Sequence, residues 1–259
     1  MCLATAAPIV KTASPGCAAI AISVVALLAS SSIEAILAAT AGLCAVAGIA
    51  TAMLAFPAPK QRNALPAAEI PRFLRSPLVV CFAFLLFLES GAEFTLGGFI
   101  SMYLARDMGI TAVSQVSWIL AGYWASIMLA RTVLGRVSLV VTPHTTLLLC
   151  ACGAGLGALL AALAPGPGVA TAAIVLCGWS LAGVYPTALG IVGTRFRSHS
   201  STVFGILFAI ALAGGIILPW VSGQIGGALG LRWVLGLMAV AFAAIGGLSR
   251  VAARIDSLD

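Results

Sequence analysis

From Pro77 to Val251 the chain repeats one pattern: an apolar run of about twenty residues, a short polar break, then another apolar run. A helix rises about 1.5 Å per residue, so about twenty apolar residues match the hydrocarbon thickness of a bilayer. Composition agrees: 62% of the residues are apolar and 8% charged, where soluble domains carry about 25% charge. A chain of 259 residues cannot hide that much apolar surface from water, so its solvent must be lipid. Segments of about ten alternating residues are lacking, which favours helices over an outer-membrane barrel. The expected fold is all-α and polytopic.

Six spans are predicted in this region: Pro77–Leu104, Val113–Leu134, Thr145–Ala164, Val169–Gly193, Thr202–Val221 and Trp233–Val251. Short breaks join them, among them Pro165-Gly166-Pro167-Gly168 and the stretch Ser222 to Arg232. Before them, Ile33–Phe56 reads as another span, with Glu34 at its entry. The apolar run Cys17–Ala29 is short and ends at Ser30-Ser31-Ser32. It has two readings: a signal peptide with Lys11 as its basic region, or a helix starting near Pro8. The helix is favoured, because a second long run follows at once and a tight serine turn suits a helical hairpin. The organisation is thus a hairpin over 1–56, a linker over 57–76, a six-helix bundle over 77–252 and a tail over 253–259, about eight spans in all. Small residues are dense in the third, fifth and sixth spans of the bundle, where they let helix backbones approach closely.

Charge gives the orientation. The linker, Pro57 to Ser76, carries Lys60, Arg62, Arg72 and Arg75 and reads as cytoplasmic. Its side of the membrane then also collects Arg131, Arg136, Arg195, Arg197, Arg250 and Arg254, while the other side collects only Arg106 and Arg232. Such asymmetry is the positive-inside pattern, and it puts both termini in the cytoplasm of a cell inner membrane. Tyr103, Trp118, Trp220 and Trp233 fall at the outer helix ends, as an aromatic belt would. The net charge of +6 is scattered over short loops, so nucleic acid is not an expected partner.

Enzymatic chemistry finds no support. The seven cysteines lie mostly in apolar runs and read as small buried residues. Cys150 and Cys152 point to nearly opposite sides of a helix, and neither histidine has a partner at ligand spacing. There is no nucleophile–base set, metal cluster or phosphate loop, so neither a metal nor a cofactor is expected.

Two residues resist the membrane reading. Glu89 and Glu93 lie deep in the first span of the bundle, roughly 18 and 24 Å from its start at 1.5 Å per residue. Four residues apart, they share one helix face. An ionisable side chain at membrane depth is a functional-site hypothesis by default. Two carboxylates one turn apart repel when both are ionised, so at least one is expected to hold a proton. A carboxyl that gains and loses a proton as its access changes can couple transport to a proton gradient. The alternative is a carboxyl that only orients helices through hydrogen bonds. Gly91, Gly97 and Gly98 flank the pair; they either break the helix to free backbone for a solute or permit close packing. Tyr123 and Trp124 sit mid-span on the next helix and Trp179 mid-span on the fourth. An indole N–H at that depth needs a partner. Aromatic rings also stack on the apolar faces of sugars. Phe94 and Gly97 complete the candidate solute contacts, with bundle core as the alternative for the aromatic residues. Pro186 and Pro219 are expected to kink their helices.

Four stretches together resemble the C-terminal half of a major facilitator superfamily transporter, in its fucose-permease-like sugar branch. Leu88-Glu89-Ser90-Gly91-Ala92-Glu93, with Gly97-Gly98-Phe99-Ile100 and Tyr103-Leu104, is similar to the seventh helix. Gly122-Tyr123-Trp124, Ala130-Arg131 and Gly135-Arg136 resemble the eighth helix and the loop after it. Gly178-Trp179-Ser180-Leu181-Ala182-Gly183-Val184-Tyr185-Pro186-Thr187 resembles the tenth, and Gly214-Gly215-Ile216-Ile217-Leu218-Pro219 with Gly230-Leu231-Arg232 the eleventh. Phe99 departs from the usual Trp, and Ala130 from the usual Gly. The resemblance implies proton symport of a small polar solute, with a sugar as the expected class, by alternating access. It favours Glu93 as proton carrier over Glu89, which lies outside the family motif, and makes Arg131 and Arg136 a gating loop. By this alignment residues 17–56 correspond to helices five and six, and helices one to four are absent. The chain is then a fragment or truncated form, or a half-transporter that needs a partner half before it can transport.

Overall fold

The structure, a computed structural model, describes residues 33–53, 70–137 and 140–258. Every regular element among them is a helix. The chain forms two units, Met1–Pro66 and Ala67–Asp259. In the first, α1 runs from Ile33 to Met53, within the span predicted over 33–56. The partner run Cys17–Ala29, and with it the choice between hairpin and signal peptide, lies outside the described residues.

The second unit holds α2 (Ile70–Leu74), α3 (Pro77–Arg106), α4 (Val113–Val137), α5 (Pro143–Ala162), α6 (Pro167–Leu181), α7 (Val184–Arg195), a 3₁₀ turn (Arg197–His199), α8 (Ser200–Leu229) and α9 (Leu231–Leu258). Counting α6 and α7 as one crossing, six segments are long and apolar enough to span a bilayer. Three of them begin with Pro at the first helical turn: Pro77, Pro143 and Pro167. That position has no intrahelical acceptor for an N–H, so the missing donor costs nothing there, and the fixed φ suits the helix.

α3 organises the bundle. It packs chiefly against α8 and α9; α9 and α6 flank α5, and α4 leans on α6. The most apolar window of α3 is 67% buried, against 22% for that of α8. Glu89, Ser90, Gly91 and Ala92 are buried in succession. Four consecutive residues span more than a full turn, so α3 is enclosed on every side at that depth. α8 turns Leu212, Ile216 and Trp220 outward, as a lipid-facing helix does.

The α3–α8 crossing depends on residues without side chains. A Cβ on Gly91 would lie 2.7 Å from Leu218 Cβ and 2.8 Å from the Gly214 carbonyl, and one on Gly214 would collide with the Phe87 carbonyl. Of the two readings for the glycines, the structure shows packing at Gly91, since α3 stays continuous through Gly91, Gly97 and Gly98.

Several boundaries differ from the sequence reading. The fourth predicted span is two helices, parted at Ala182-Gly183. Pro186 falls in the first turn of α7, where its missing N–H does no harm, so the chain breaks upstream instead of kinking. Pro219, by contrast, lies inside a continuous α8. The loop expected over Ser222–Arg232 is Gly230 alone, at φ +103°, a conformation L side chains rarely adopt. Tyr103 is no belt residue: it is 1% exposed and donates its hydroxyl hydrogen bond to the Ala161 carbonyl of α5. Trp118, Trp220 and Trp233 are exposed. The tail expected over 253–259 instead prolongs α9 to Leu258. There Asp256 pairs with His144 Nε2 of α5 at 3.2 Å. The linker expected to end at 76 folds over its last residues into α2, and Phe73 of α2 packs on Phe196 and His199.

Candidate functional site

Glu89, Glu93 and Gly97 follow one another at four-residue spacing, so they form a line along one face of α3. Trp124 of α4 meets that line at its upper end: a Cβ on Gly97 would lie 2.8 Å from Trp124 Cζ2. From there α4 runs back alongside α3. Seven residues bring Arg131 about 10.5 Å along and onto the same face as Trp124. Eight residues on α3, from Gly97 to Glu89, cover about 12 Å. Arg131 therefore arrives at the level of the two carboxylates. Accordingly, its guanidinium acts electrostatically on both.

Glu89 is completely buried, and neither of its carboxylate oxygens has a hydrogen-bond partner among the described residues. Glu93, one turn on, is half-buried. The neighbouring hydroxyls are engaged elsewhere: Thr95 donates to the Gly91 carbonyl at 2.7 Å and Ser126 to the Tyr123 carbonyl at 2.7 Å. The expected alternative, a carboxyl orienting helices through hydrogen bonds, therefore finds no such bonds at Glu89. An ionised carboxylate left in that position carries a penalty of several kcal/mol. A formal count suggests the resolution. Glu89, Glu93 and Arg131 sum to zero charge when the carboxylate pair holds one proton between them.

Tyr123 is fully buried, stacks edge-on against Trp124 at 5.3 Å, and has no hydrogen-bond partner for its hydroxyl among the described residues. Gly178 of α6 lets it in: a Cβ there would lie 2.5 Å from Ser126 Oγ and 2.8 Å from Tyr123 Cδ2. Trp179 follows Gly178 on α6 and is 44% exposed. The other predicted residues scatter. Phe94 turns to the far flank of α3, where it lies against Gly215 of α8. Arg131 and Arg136 lie on α4, which continues to Val137, so they are not in a loop. Arg136 is exposed about 7.5 Å beyond Arg131 along the axis.

Tyr185 was missed. It opens α7 just after the break at Ala182-Gly183, stacks on Phe208 of α8 at 6.2 Å, and lies within electrostatic range of both carboxylates. Its place beside Pro186 was the available signal, because a proline after a glycine can restart a helix and redirect the residue before it.

The site thus joins α3, α4 and α7: two carboxylates, one guanidinium and two tyrosines at membrane depth, with Trp124 above. The comparisons with known proteins agree with the helical architecture. The structure is similar to a crystal structure of a variant of the E. coli fucose:proton symporter, FucP, with a TM-score of 0.70 and 20% identity over 87% of this chain and 60% of that one. It is similar also to FucP in the outward conformation, a Major Facilitator Superfamily transporter, with a TM-score of 0.69 and 22% identity over 87% of this chain and 59% of that one. The chain therefore spans about 60% of the length of these solved relatives. No curated protein matches it significantly. The family model for the Major Facilitator Superfamily matches residues 82–255, from within α3 to within α9. This chain, a multi-pass membrane protein, belongs to the Major Facilitator Superfamily.

Proposed function

We propose that the chain provides the second bundle of a proton symporter for a small polar solute, with a sugar as the first class to test. The observation that carries this reading is Glu89: fully enclosed, with both oxygens unpartnered, one turn from Glu93 and opposed by Arg131. A stability role would demand partners, since a buried carboxylate is stabilised only by them. A carrier role demands their absence in one state, so that a proton can take their place. Glu93, the more accessible of the two, exchanges the proton with the solute pathway, and Glu89 shares it. Arg131 offsets the negative charge left when the proton departs. Tyr123, with its free hydroxyl, and Trp124, with its ring over Gly97, supply a hydrogen bond and a stacking face. Trp179 lines the approach. Arg131 and Arg136 gate the end of α4 away from Trp124. The reaction is transport, not bond chemistry.

The charge asymmetry described above supports a cell inner membrane location with both termini in the cytoplasm. A partner first half closes the site from the side opposite α3, as expected for sites between repeats. Uptake tests both parts. In vesicles holding this chain, labelled fucose and other neutral hexoses are offered with an inward proton gradient. Gradient-driven accumulation, abolished by a protonophore, supports symport. Accumulation only after a first half is co-expressed identifies the half-transporter. Accumulation indifferent to the protonophore in both cases overturns proton coupling.

A further inference from the structure

We infer that the surface formed by α2 and the α7–α8 connection is a binding site for the headgroup of an anionic phospholipid. Two short stretches meet there, Pro71-Arg72-Phe73-Leu74-Arg75 and Arg195-Phe196-Arg197-Ser198-His199. Phe73 is 8% exposed and makes an edge-on contact with Phe196 at 6.2 Å and a tilted one with His199 at 5.5 Å. The aromatic contact fixes the two stretches together. Arg195 and Arg197 flank Phe196 and Arg75 follows Phe73 by two residues, so the inward rings leave cations around their rim. Arg75, Arg195 and Arg197 are all exposed. Neither stretch contains an Asp or Glu.

Position identifies the partner. Arg75 lies two residues before α3 begins at Pro77, Arg195 ends α7, and α8 begins at Ser200. The cations therefore stand where spans enter and leave the bilayer, at headgroup level. Leu74, between Phe73 and Arg75, is 44% exposed. An outward leucine beside a guanidinium suits an acyl chain beneath a phosphate and has no use for a soluble anion. Basic residues near a membrane surface attract anionic lipid by about 1 kcal/mol each, roughly fivefold in affinity. Positive-inside topology needs charge on this side of the membrane but no aromatic contact to gather it.

Native mass spectrometry of the full chain, purified with phosphatidylcholine alone or doped with phosphatidylglycerol, tests this. Phosphatidylglycerol is expected to be retained over phosphatidylcholine, and each of Arg75→Gln, Arg195→Gln and Arg197→Gln to weaken retention about fivefold. The triple Arg→Lys variant should retain it, as should Arg106→Gln at the opposite end of the bundle. Phe73→Leu keeps every charge but frees the stretches, and should show intermediate loss. If the triple Gln variant fails to fold, a salt titration of the wild type decides, since exposed charges are screened beyond about 10 Å at 0.1 M. Equal retention of the two lipids, retention unchanged in the Gln variants or in high salt, or displacement by inorganic phosphate alone would overturn the inference.

Discussion

Two of the places where an acidic side chain lies near a basic one differ in burial and in partners. Asp256, near the end of α9, meets His144 Nε2 of α5 at 3.2 Å, and both side chains remain partly exposed. Glu89, in the middle of α3, is fully buried with neither oxygen partnered, and Arg131 acts on it only electrostatically. The first arrangement suits stability: the carboxylate has a hydrogen-bonding partner, and water screens what is left. The second is a poor device for stability, since burial is costly and nothing repays it locally. What holds α3 in place at that depth is backbone packed on backbone at Gly91 and Gly214. Fold and chemistry are therefore carried by different atoms of one helical turn, and can be separated by mutation.

The largest effect should come from packing. Gly214→Leu drives a side chain into the Phe87 carbonyl and should abolish folded protein in a fluorescence-detected size-exclusion assay. Full recovery of monodisperse protein would break the comparison. Glu89→Leu should do the reverse. Thermal stability is expected to hold or to rise, because an unpaired buried carboxyl is replaced by an apolar group of similar size, while proton-driven uptake is lost. A large fall in melting temperature would show that Glu89 has a structural partner after all. Tyr123→Phe removes a hydroxyl that bonds nothing among the described residues, so stability should stay unchanged. Solute affinity is expected to fall by about tenfold if that hydroxyl meets the solute, the scale of one hydrogen bond. His144→Ala gives the smallest effect: a partly exposed pair is worth at most about 1 kcal/mol, read as a small shift in unfolding midpoint with transport intact.

Much of the fold was legible because lipid imposes a length. Runs of about twenty apolar residues located the six crossings of the bundle. The carboxylate pair was legible for the same reason, since Glu stands out against Leu and Phe. Which face of each helix turns inward was not legible. Lipid and core are both apolar, so a spanning helix has no polar stripe to mark its outer side. Tyr103 illustrates this: sequence position puts it in a belt, while the structure turns it onto Ala161. Arg131 shows a second limit. Its basic charge near a helix end read as an anchor or gate, and only the antiparallel run of α4 against α3 brings it level with Glu89 and Glu93. The break before α7 was hidden because Pro186 marks the new helix from within its first turn.

The central claim is that the α3 carboxylate pair carries the proton, with Glu93 as the exchanging member. Glu93→Gln keeps size and shape and removes the titrating group. The decisive measurement places this variant and the wild type in vesicles, together with the first half if that is required. Gradient-driven accumulation is recorded alongside counterflow exchange of the same labelled solute. One proton carried per solute supports about tenfold accumulation per pH unit. The account predicts that the wild type accumulates and exchanges, while Glu93→Gln exchanges without accumulating. Accumulation by Glu93→Gln at the wild-type level would contradict it and move the proton site away from α3.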